Sequence, residues 1–318
     1  MPFTNFPNGL TSFGIPQLGG IPNFGPKSKC IFCDPSAGSD GNDGTSPSSA
    51  VQTLLRAYNL LTDLSGDTIF LFGTATATLA AGLVWSKNLC SLIGVCSPVT
   101  ENKRARIGHR TTNMSPMITV SGYGNYFANI YTMYGNGAAA NLVSWLVSGA
   151  RNCFENVHFG GPFNTTEATT VGFMLVQLSG AQECTFRNCA FGTTTIARSG
   201  ANSLVEFDSG AGRLQFTDCL FLSMASATTP VMLANAAANG IVDYALFKNC
   251  TFLNFSANWA TSLAAAVTNA GGNSGAILLQ NCMFAGITAI GAAGNLLRTY
   301  VLGNEVVTAA NQGLAVNP

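Results

Sequence analysis

Charge is scarce in this chain. Only 9% of its 318 residues are Asp, Glu, Lys or Arg, and 14 basic residues balance 14 acidic ones. A nucleic-acid binder needs a basic stripe. The one basic cluster, Lys103, Arg104, Arg106 and Arg110, reads as a solvated loop. Histidine is rarer still, with only His109 and His158. No motif such as GxSxG supports a Ser-His-Asp site around either, and no phosphate-binding glycine loop is present. No apolar run is long enough to span a membrane. Residues 1–29 lack the basic start and apolar core of a signal peptide. The expectation is a chain with no nucleic acid, membrane or cofactor to hold.

What the chain has is a repeat. Phe154-Glu155-Asn156-Val157-His158-Phe159 is followed by Phe186-Arg187-Asn188-Cys189-Ala190-Phe191 and Phe216-Thr217-Asp218-Cys219-Leu220-Phe221. Phe247-Lys248-Asn249-Cys250-Thr251-Phe252 and Leu279-Gln280-Asn281-Cys282-Met283-Phe284 complete the series. The Asn/Asp positions step by 32, 30, 31 and 32 residues. A unit of that size cannot bury its own apolar face and must stack on its neighbours. The runs between the phrases are short and β-rich, as in Ser203-Leu204-Val205-Glu206-Phe207 and Ala276-Ile277-Leu278-Leu279, with Gly, Asn, Ser and Ala between them. Helical repeats would need apolar residues at 3.6 spacing. Three short strands and three turns use about 20–30 residues, the size of one coil of a parallel β-helix.

The phrase maps onto a corner. The first Phe ends a strand facing inward. Asn or Asp takes the bend, because it tolerates a left-handed backbone. Stacking then places Asn156, Asn188, Asp218, Asn249 and Asn281 in one ladder. Cys189, Cys219, Cys250 and Cys282 form an inner stack with Val157, and the second Phe of each phrase forms another. A second phrase, Ser-Gly-Ala at Ser148, Ser179, Ser209 and Ser274, is spaced by 31, 30 and 65 residues. It marks a corner where only small residues fit. Four of the ten cysteines lie in the inner stack, where parallel side chains are poorly aimed for disulfides. Reduced thiols and assembly in a cytoplasm are expected. Cys30-Ile31-Phe32-Cys33 has CxxC spacing, but a strand sends its two sulfurs to opposite faces.

The ends differ from the body. Residues 1–29 hold five Pro, five Gly, four Phe, two Leu and two Ile. Pro and Gly oppose regular structure there, and the apolar content is high for a free tail. An arm results that lies on its own domain or orders on a partner, with Phe3, Phe6, Phe13 and Phe24 as attachment residues. Residues 34–47 are dense in turn formers. They mimic a calcium loop, but Gly44 takes the fifth ligand place and no Glu stands at the twelfth. A capping helix follows. Ser46 caps it, Pro47 enters its first turn, Val51, Leu54, Leu55, Tyr58 and Leu61 form one face, and Gly66 ends it. The expected organisation is arm 1–29, turn and cap 30–66, parallel β-helix 67–285 and C-terminal cap or tail 286–318.

Asp34-Pro35, Gly38-Ser39-Asp40, Asn42-Asp43-Gly44-Thr45, Pro47, the capping helix, Gly66-Asp67-Thr68-Ile69 and the Asn ladder come in a telling order. Over about residues 30–285 this order resembles the pectate-lyase-like superfamily. That implies an all-β, right-handed, single-stranded parallel β-helix with an N-terminal capping α-helix and an extended arm. The Gly/Ala-rich character and the apolar arm look like β-helix proteins of tailed-phage virions. Head-decoration or cement proteins and tailspikes are the types implied, and they are commonly trimeric.

Family lyases and hydrolases place carboxylates on the outer face of one sheet. Here the body offers Glu155, Glu167, Glu183, Glu206, Asp208, Asp218 and Asp243. Glu206 and Asp208 are the only pair placed as a glycosidase would want, about 6.5–7 Å apart along a strand. The matching positions one coil earlier read as Val176 and Leu178, so no acidic groove extends from them. The resulting expectation is a non-enzymatic virion protein that decorates the phage head, assembled in the host cytoplasm as a homotrimer. Its partners would be the major capsid protein or other virion proteins. The alternative is a tailspike-like protein that binds or degrades a host surface glycan.

Overall fold

A computed structural model describes residues 27–302 except 110, 236–239, 257–260, 270–274 and 297. It also describes Gly25 and the two-residue strands Thr11–Ser12 and Ile15–Pro16, which pair antiparallel. The attachment residues Phe3, Phe6, Phe13 and Phe24, and the tail 303–318, lie outside the described residues.

The chain winds through three parallel sheets. Sheet I has ten strands, from Cys30–Cys33 to Thr299–Leu302. Sheet II has eight, from Thr76–Thr78 to Met283–Ala285. Sheet III has eight, from Leu83–Trp85 to Gly291–Leu296. Each strand pairs with its equivalent one coil away, and apolar residues from all three sheets meet in one central core. The β-helix is therefore longer at both ends than the 67–285 expected. Cys30–Cys33 pairs with Thr68–Leu71, and Thr299–Leu302 extends sheet I beyond Ala276–Gln280. The phrase fades after Phe284, but backbone pairing does not need it.

The Asn corner forms as its chemistry requires. Asn156, Asn188, Asp218, Asn249 and Asn281 all have φ between 50° and 54°. Each of the first four donates its backbone N–H to the carbonyl just before the next corner residue, as Asn188 does to Thr217 at 3.0 Å. Asn129, with φ 54°, adds a sixth rung, and Asn156 Nδ2 donates to its Oδ1 at 3.0 Å. Phe127-Ala128-Asn129 carries the first half of the phrase, but Thr132 stands where the second Phe would be.

Two aromatic columns follow from this register. Phe127, Phe154, Phe186, Phe216 and Phe247 stack with centroids 5.0, 4.7, 4.6 and 4.4 Å apart. Phe159, Phe191, Phe221, Phe252 and Phe284 stack at 4.9, 4.7, 4.5 and 4.8 Å. These spacings match the strand separation of a sheet, about 4.8 Å, so backbone pairing and ring stacking reinforce one another.

Cys189, Cys219, Cys250 and Cys282 are buried beside the columns, and all ten cysteines are free thiols. Burial pushes the Cys219 thiol well up. Each sulfur of the row lies near two backbone carbonyls, as Cys219 Sγ does to Phe186 at 3.5 Å and Thr217 at 3.4 Å. Cys33 faces the core while Cys30 lies on the opposite face of the same strand.

The capping helix is broken in two. Ser46 caps a 3-10 turn at Pro47–Ser49, and α1, Leu54–Leu60, is capped separately by Thr53. Between them Val51 bridges to Cys33, exchanging hydrogen bonds with Phe32 and Asp34. Pairing with the first strand of sheet I overrides helical continuity there. Leu54, Ala57 and Tyr58 are buried by α1, whereas Leu55 is exposed. α1 ends at Leu60, with Leu61 as its cap, and not at Gly66. Lys87 Nζ closes the helix by donating to Tyr58 O, Asn59 O and Leu61 O at 2.9, 3.4 and 2.6 Å.

Asp40 accepts from Gln52 N, Thr53 N and Thr53 Oγ1. Asp34 and Asp43 likewise serve their own turns. Ser179 pairs in register with Ser209 at the Ser-Gly-Ala corner. Gly275 of the fourth copy instead packs against Ile241 and Asp243, so that copy is not equivalent.

Candidate functional site

Glu206 and Asp208 belong to the strand Val205–Ser209 of sheet III. Val205 and Phe207 are fully buried, so the two acids alternate outward and are half-buried. Glu206 pairs with Gln177, and Phe207 with Leu178. The expected match of the acids to Val176 and Leu178 is thus one residue out. Those two side chains face the core, and a one-residue slip exchanges the faces. The outward neighbours one coil earlier are Gln177 and Ser179, both able to hydrogen bond.

The strand is irregular at the second acid. Pairing runs Leu178 to Phe207 and then Ser179 to Ser209, leaving Asp208 as the extra residue of a bulge. The regular step on which a 6.5–7 Å spacing rests is interrupted there. Ser179 Oγ donates to Asp208 Oδ2 at 3.0 Å. Burial, then the charge of Asp208, raises the Glu206 pKa, against a hydrogen bond from Gln177.

Further along the outward row stand Thr119 and Leu146 on one side and Ala234 and Thr268 on the other. The row is half-buried, with Ala234 buried, and has a short polar centre and no Lys or Arg.

The other carboxylates of the body are occupied. Glu183 pairs with Arg151 at 2.6 Å and Arg213 at 3.1 Å, and Arg213 also reaches Asp243 at 2.9 Å. Glu155 accepts from Tyr126 Oη, and Asp218 from Asn249 Nδ2. Glu167 Oε1 accepts from the N–H groups of Asn136, Gly137 and Ala138 and from Asn141 Nδ2. Burial opposes its charge, but these donors outweigh burial and hold its pKa below the usual range. Glu206 and Asp208, like Glu155 and Asp218, have no ion pair and no backbone N–H donor among the described residues, but only Glu206 and Asp208 share one face of one strand.

Both histidines are structural. His158 points to the outer face of its strand, where Asn102 and its neighbours cover it. Its Nε2–H donates to Gly192 O at 2.8 Å, Nδ1 accepts from Asn102 N at 3.0 Å, and the ring stacks on Tyr131 at 4.6 Å. Burial, aided by nearby Lys103, lowers its pKa to about 4, against the Gly192 hydrogen bond. His109 Nδ1–H donates to Thr112 O, and Nε2 accepts from Gly135 N.

Lys103 is not solvated as expected. It is fully buried and donates to Thr100 O at 2.7 Å, and burial lowers its pKa to about 8. Arg198 had no sequence signal at all. It is fully buried and ties Asn202, Ser223 and Val231 O together across the connections between sheets II and III. Among the described residues, no three His, Cys, Asp or Glu side chains are grouped to hold a metal ion.

No family model and no curated protein matches this chain. Solved structures do. A pectate lyase, Pel9A, superposes with a TM-score of 0.57 at 14% identity over 84% of this chain, which spans 65% of that enzyme, just under two thirds. A pectin methylesterase mutant in complex with a hexasaccharide superposes with a TM-score of 0.55 at 15% identity, covering 89% of this chain and 92% of that one. The fold is that of these right-handed β-helices. A tailspike protein of an Acinetobacter baumannii bacteriophage, a capsular polysaccharide depolymerase, aligns at a TM-score of 0.30, too low to carry an argument.

Proposed function

We propose that this chain is a carbohydrate-engaging β-helix protein that holds a glycan on the outer face of sheet III, at Gln177, Ser179, Glu206 and Asp208. One observation carries the reading: Glu206 and Asp208 share the outward face of one strand without an ion pair, and they sit beside an amide and a hydroxyl. Such groups accept hydrogen bonds from sugar hydroxyls, and ionised acceptors bind them more strongly than neutral ones. The shared fold supports the reading, since one neighbour was solved with a hexasaccharide.

A second reading, hydrolysis, is favoured by the raised pKa of Glu206 next to Asp208. Two carboxyls in unequal environments can divide the acid and base roles. Head decoration rests on residues 1–29, and the comparisons lend it no support. A homotrimer is proposed with it, on the low charge of the flanks. Light scattering tests this: a mass three times the 33.0 kDa chain is expected, and a stable monomer at micromolar concentration overturns it.

The test of function is calorimetric titration of the full chain with a panel of bacterial and plant polysaccharide fragments, run beside a reducing-end assay. Glu206→Gln with Asp208→Asn should melt like the parent and lose about tenfold or more in affinity, the worth of one charged hydrogen bond. Absence of binding across the panel, or binding unchanged by the double substitution, removes the proposal. Release of reducing ends that Glu206→Gln abolishes converts it to the hydrolytic reading.

A further inference from the structure

Sheet I sends its connections away from its own outer face. Along its middle strands, from Tyr126 to Thr217, tight left-handed corners flank it on both sides. Asn129, Asn156, Asn188 and Asp218 turn the chain toward sheet II, with φ of 50° to 54°. Gly124, Arg151, Glu183 and Arg213 bring it in from sheet III, with φ of 52° to 66°. The longer connections join sheets II and III, as from Gly160 to Met174 and from Gly192 to Val205. The connection from Val95 to Arg106 turns over sheet II, where Asn102 meets His158. The outer face of sheet I is therefore a strip of ten strands, about 43 Å long at about 4.8 Å per step.

Both ends of this strip are apolar. At the first end Phe32, Phe70, Phe72 and Ile93 alternate outward from buried neighbours and are half-buried, and Val95 is 46% exposed. Phe32 stacks on Phe70 with centroids 5.5 Å apart and lies 6.1 Å from Phe72. At the last end Leu246 and Leu278 pair as outward residues, and Tyr300, paired with Leu278, is 53% exposed. Between the ends Glu155 and Arg187 pair in one outward column. Glu155 accepts from Tyr126 Oη, and Arg187 makes no ion pair among the described residues. Their strands are the fifth and sixth of the ten, so the acid and the base lie on either side of the centre of the sheet.

We propose that two copies of this chain pack antiparallel through the outer faces of sheet I, about 10 Å apart. A two-fold axis along the strands, at the centre of the sheet, sets each strand against the one equally far from the other end. Glu155 of one copy then meets Arg187 of the other, twice over. The strands of Phe70 and Ile93 meet those of Leu278 and Leu246, and the strand of Phe32 meets that of Tyr300. Lys248 comes over Ile93, which its methylene stem can cover. An isologous contact needs a surface complementary to itself, and this strip has that property in charge and in hydropathy. Parallel packing would set Glu155 against Glu155 and Arg187 against Arg187. Two outward positions on each of ten strands give about twenty residues a side, the size of a standard interface. Glu206 and Asp208 lie on sheet III and stay uncovered in the pair. The pair is an alternative to the homotrimer that goes with head decoration.

Sedimentation equilibrium of the full chain at micromolar concentration tests this. A mass twice that of the 33.0 kDa chain is expected, and a monomer or a trimer overturns the proposal. Glu155→Arg and Arg187→Glu each bring like charges together across the axis and should each weaken association at least about tenfold. Glu155→Arg combined with Arg187→Glu exchanges the two charges and should restore affinity to within about threefold of the parent. Leu278→Lys, at the apolar end, should weaken association at least about tenfold without any change at the centre. Association unchanged by the single reversals or by Leu278→Lys overturns the proposal. So does a double reversal that binds no tighter than the single ones, because only the antiparallel two-fold pairs Glu155 with Arg187.

Discussion

Lowering the pH should destabilise this protein through His158 before its carboxylates respond. The imidazole is 1% exposed, donates to Gly192 O and accepts from Asn102 N. The folded protein holds it neutral down to about pH 4, whereas the unfolded chain protonates it near 6.5. Between these values the unfolded state binds the extra proton, so stability rises with pH across the window. The contribution is complete above pH 6.5, falls as the pH drops and is exhausted below about 4. Each tenfold change in proton affinity is worth about 1.4 kcal/mol, so the whole window is worth about 3 kcal/mol. That is a large share of a typical stability of about 5–15 kcal/mol.

The assay is urea unfolding at intervals from pH 7.5 to 4, comparing the parent with His158→Gln. Glutamine can keep the donor and acceptor but cannot take the proton. Glu206, whose raised pKa stabilises at low pH and loses that effect as pH rises through its titration, is present in both proteins and cancels. The difference between the two should therefore change by about 1.4 kcal/mol per pH unit within the window. A difference constant with pH refutes the argument. So does an imidazole resonance of His158 that titrates near 6.5 in the folded protein, a signal easily assigned with only two histidines in the chain.

Three packing predictions accompany it. Phe216→Ala removes a ring stacked 4.6 and 4.4 Å from its neighbours and should cost about 3–5 kcal/mol. Phe216→Leu, which Leu279 already exemplifies two positions along the column, should stay below about 1.5 kcal/mol by chemical denaturation; equal losses would show that ring stacking, not filled volume, carries the effect. Cys219→Ser and Cys219→Ala should both cost about 1 kcal/mol, because the hydroxyl finds the carbonyls of Phe186 and Thr217 that the thiol already approaches. A serine penalty several times the alanine one would show that the row is apolar in effect. Thiol titration in denaturant without reductant should find most of the ten cysteines free. Gly149→Ala places a Cβ 1.9 Å from Gly122 O of the adjacent coil and should cost about 1–3 kcal/mol or more. Gly172→Ala, with nothing within 4 Å, should cost about 1 kcal/mol for its left-handed backbone alone, and a reversed order in thermal melts would contradict the close approach.

The repeat was legible because it is written in residues whose reason is local. Asn and Asp tolerate the left-handed bend, and the flanking Phe residues must point inward at each end of it. Five rungs, two aromatic columns and the thiol row followed from that alone. Asn129 escaped because half its phrase is missing, and the β-helix ran past 285 because strand pairing uses backbone groups that every residue has.

The candidate site was legible only as two residue names. Glu206 and Asp208 share a face by strand alternation, which a sequence contains. Their neighbours Gln177 and Ser179 depend on inter-coil register, and loops of unequal length shift register between coils. The same is true of a second left-handed column, Leu64, Leu89, Arg151, Glu183 and Arg213, which share a backbone bend but no residue type. It is true as well of Arg198 and Glu167, which draw partners from other turns. Local backbone preference determined the coil; which side chains meet across coils was decided only when the strands stacked, because that contact is a property of register and not of any one turn.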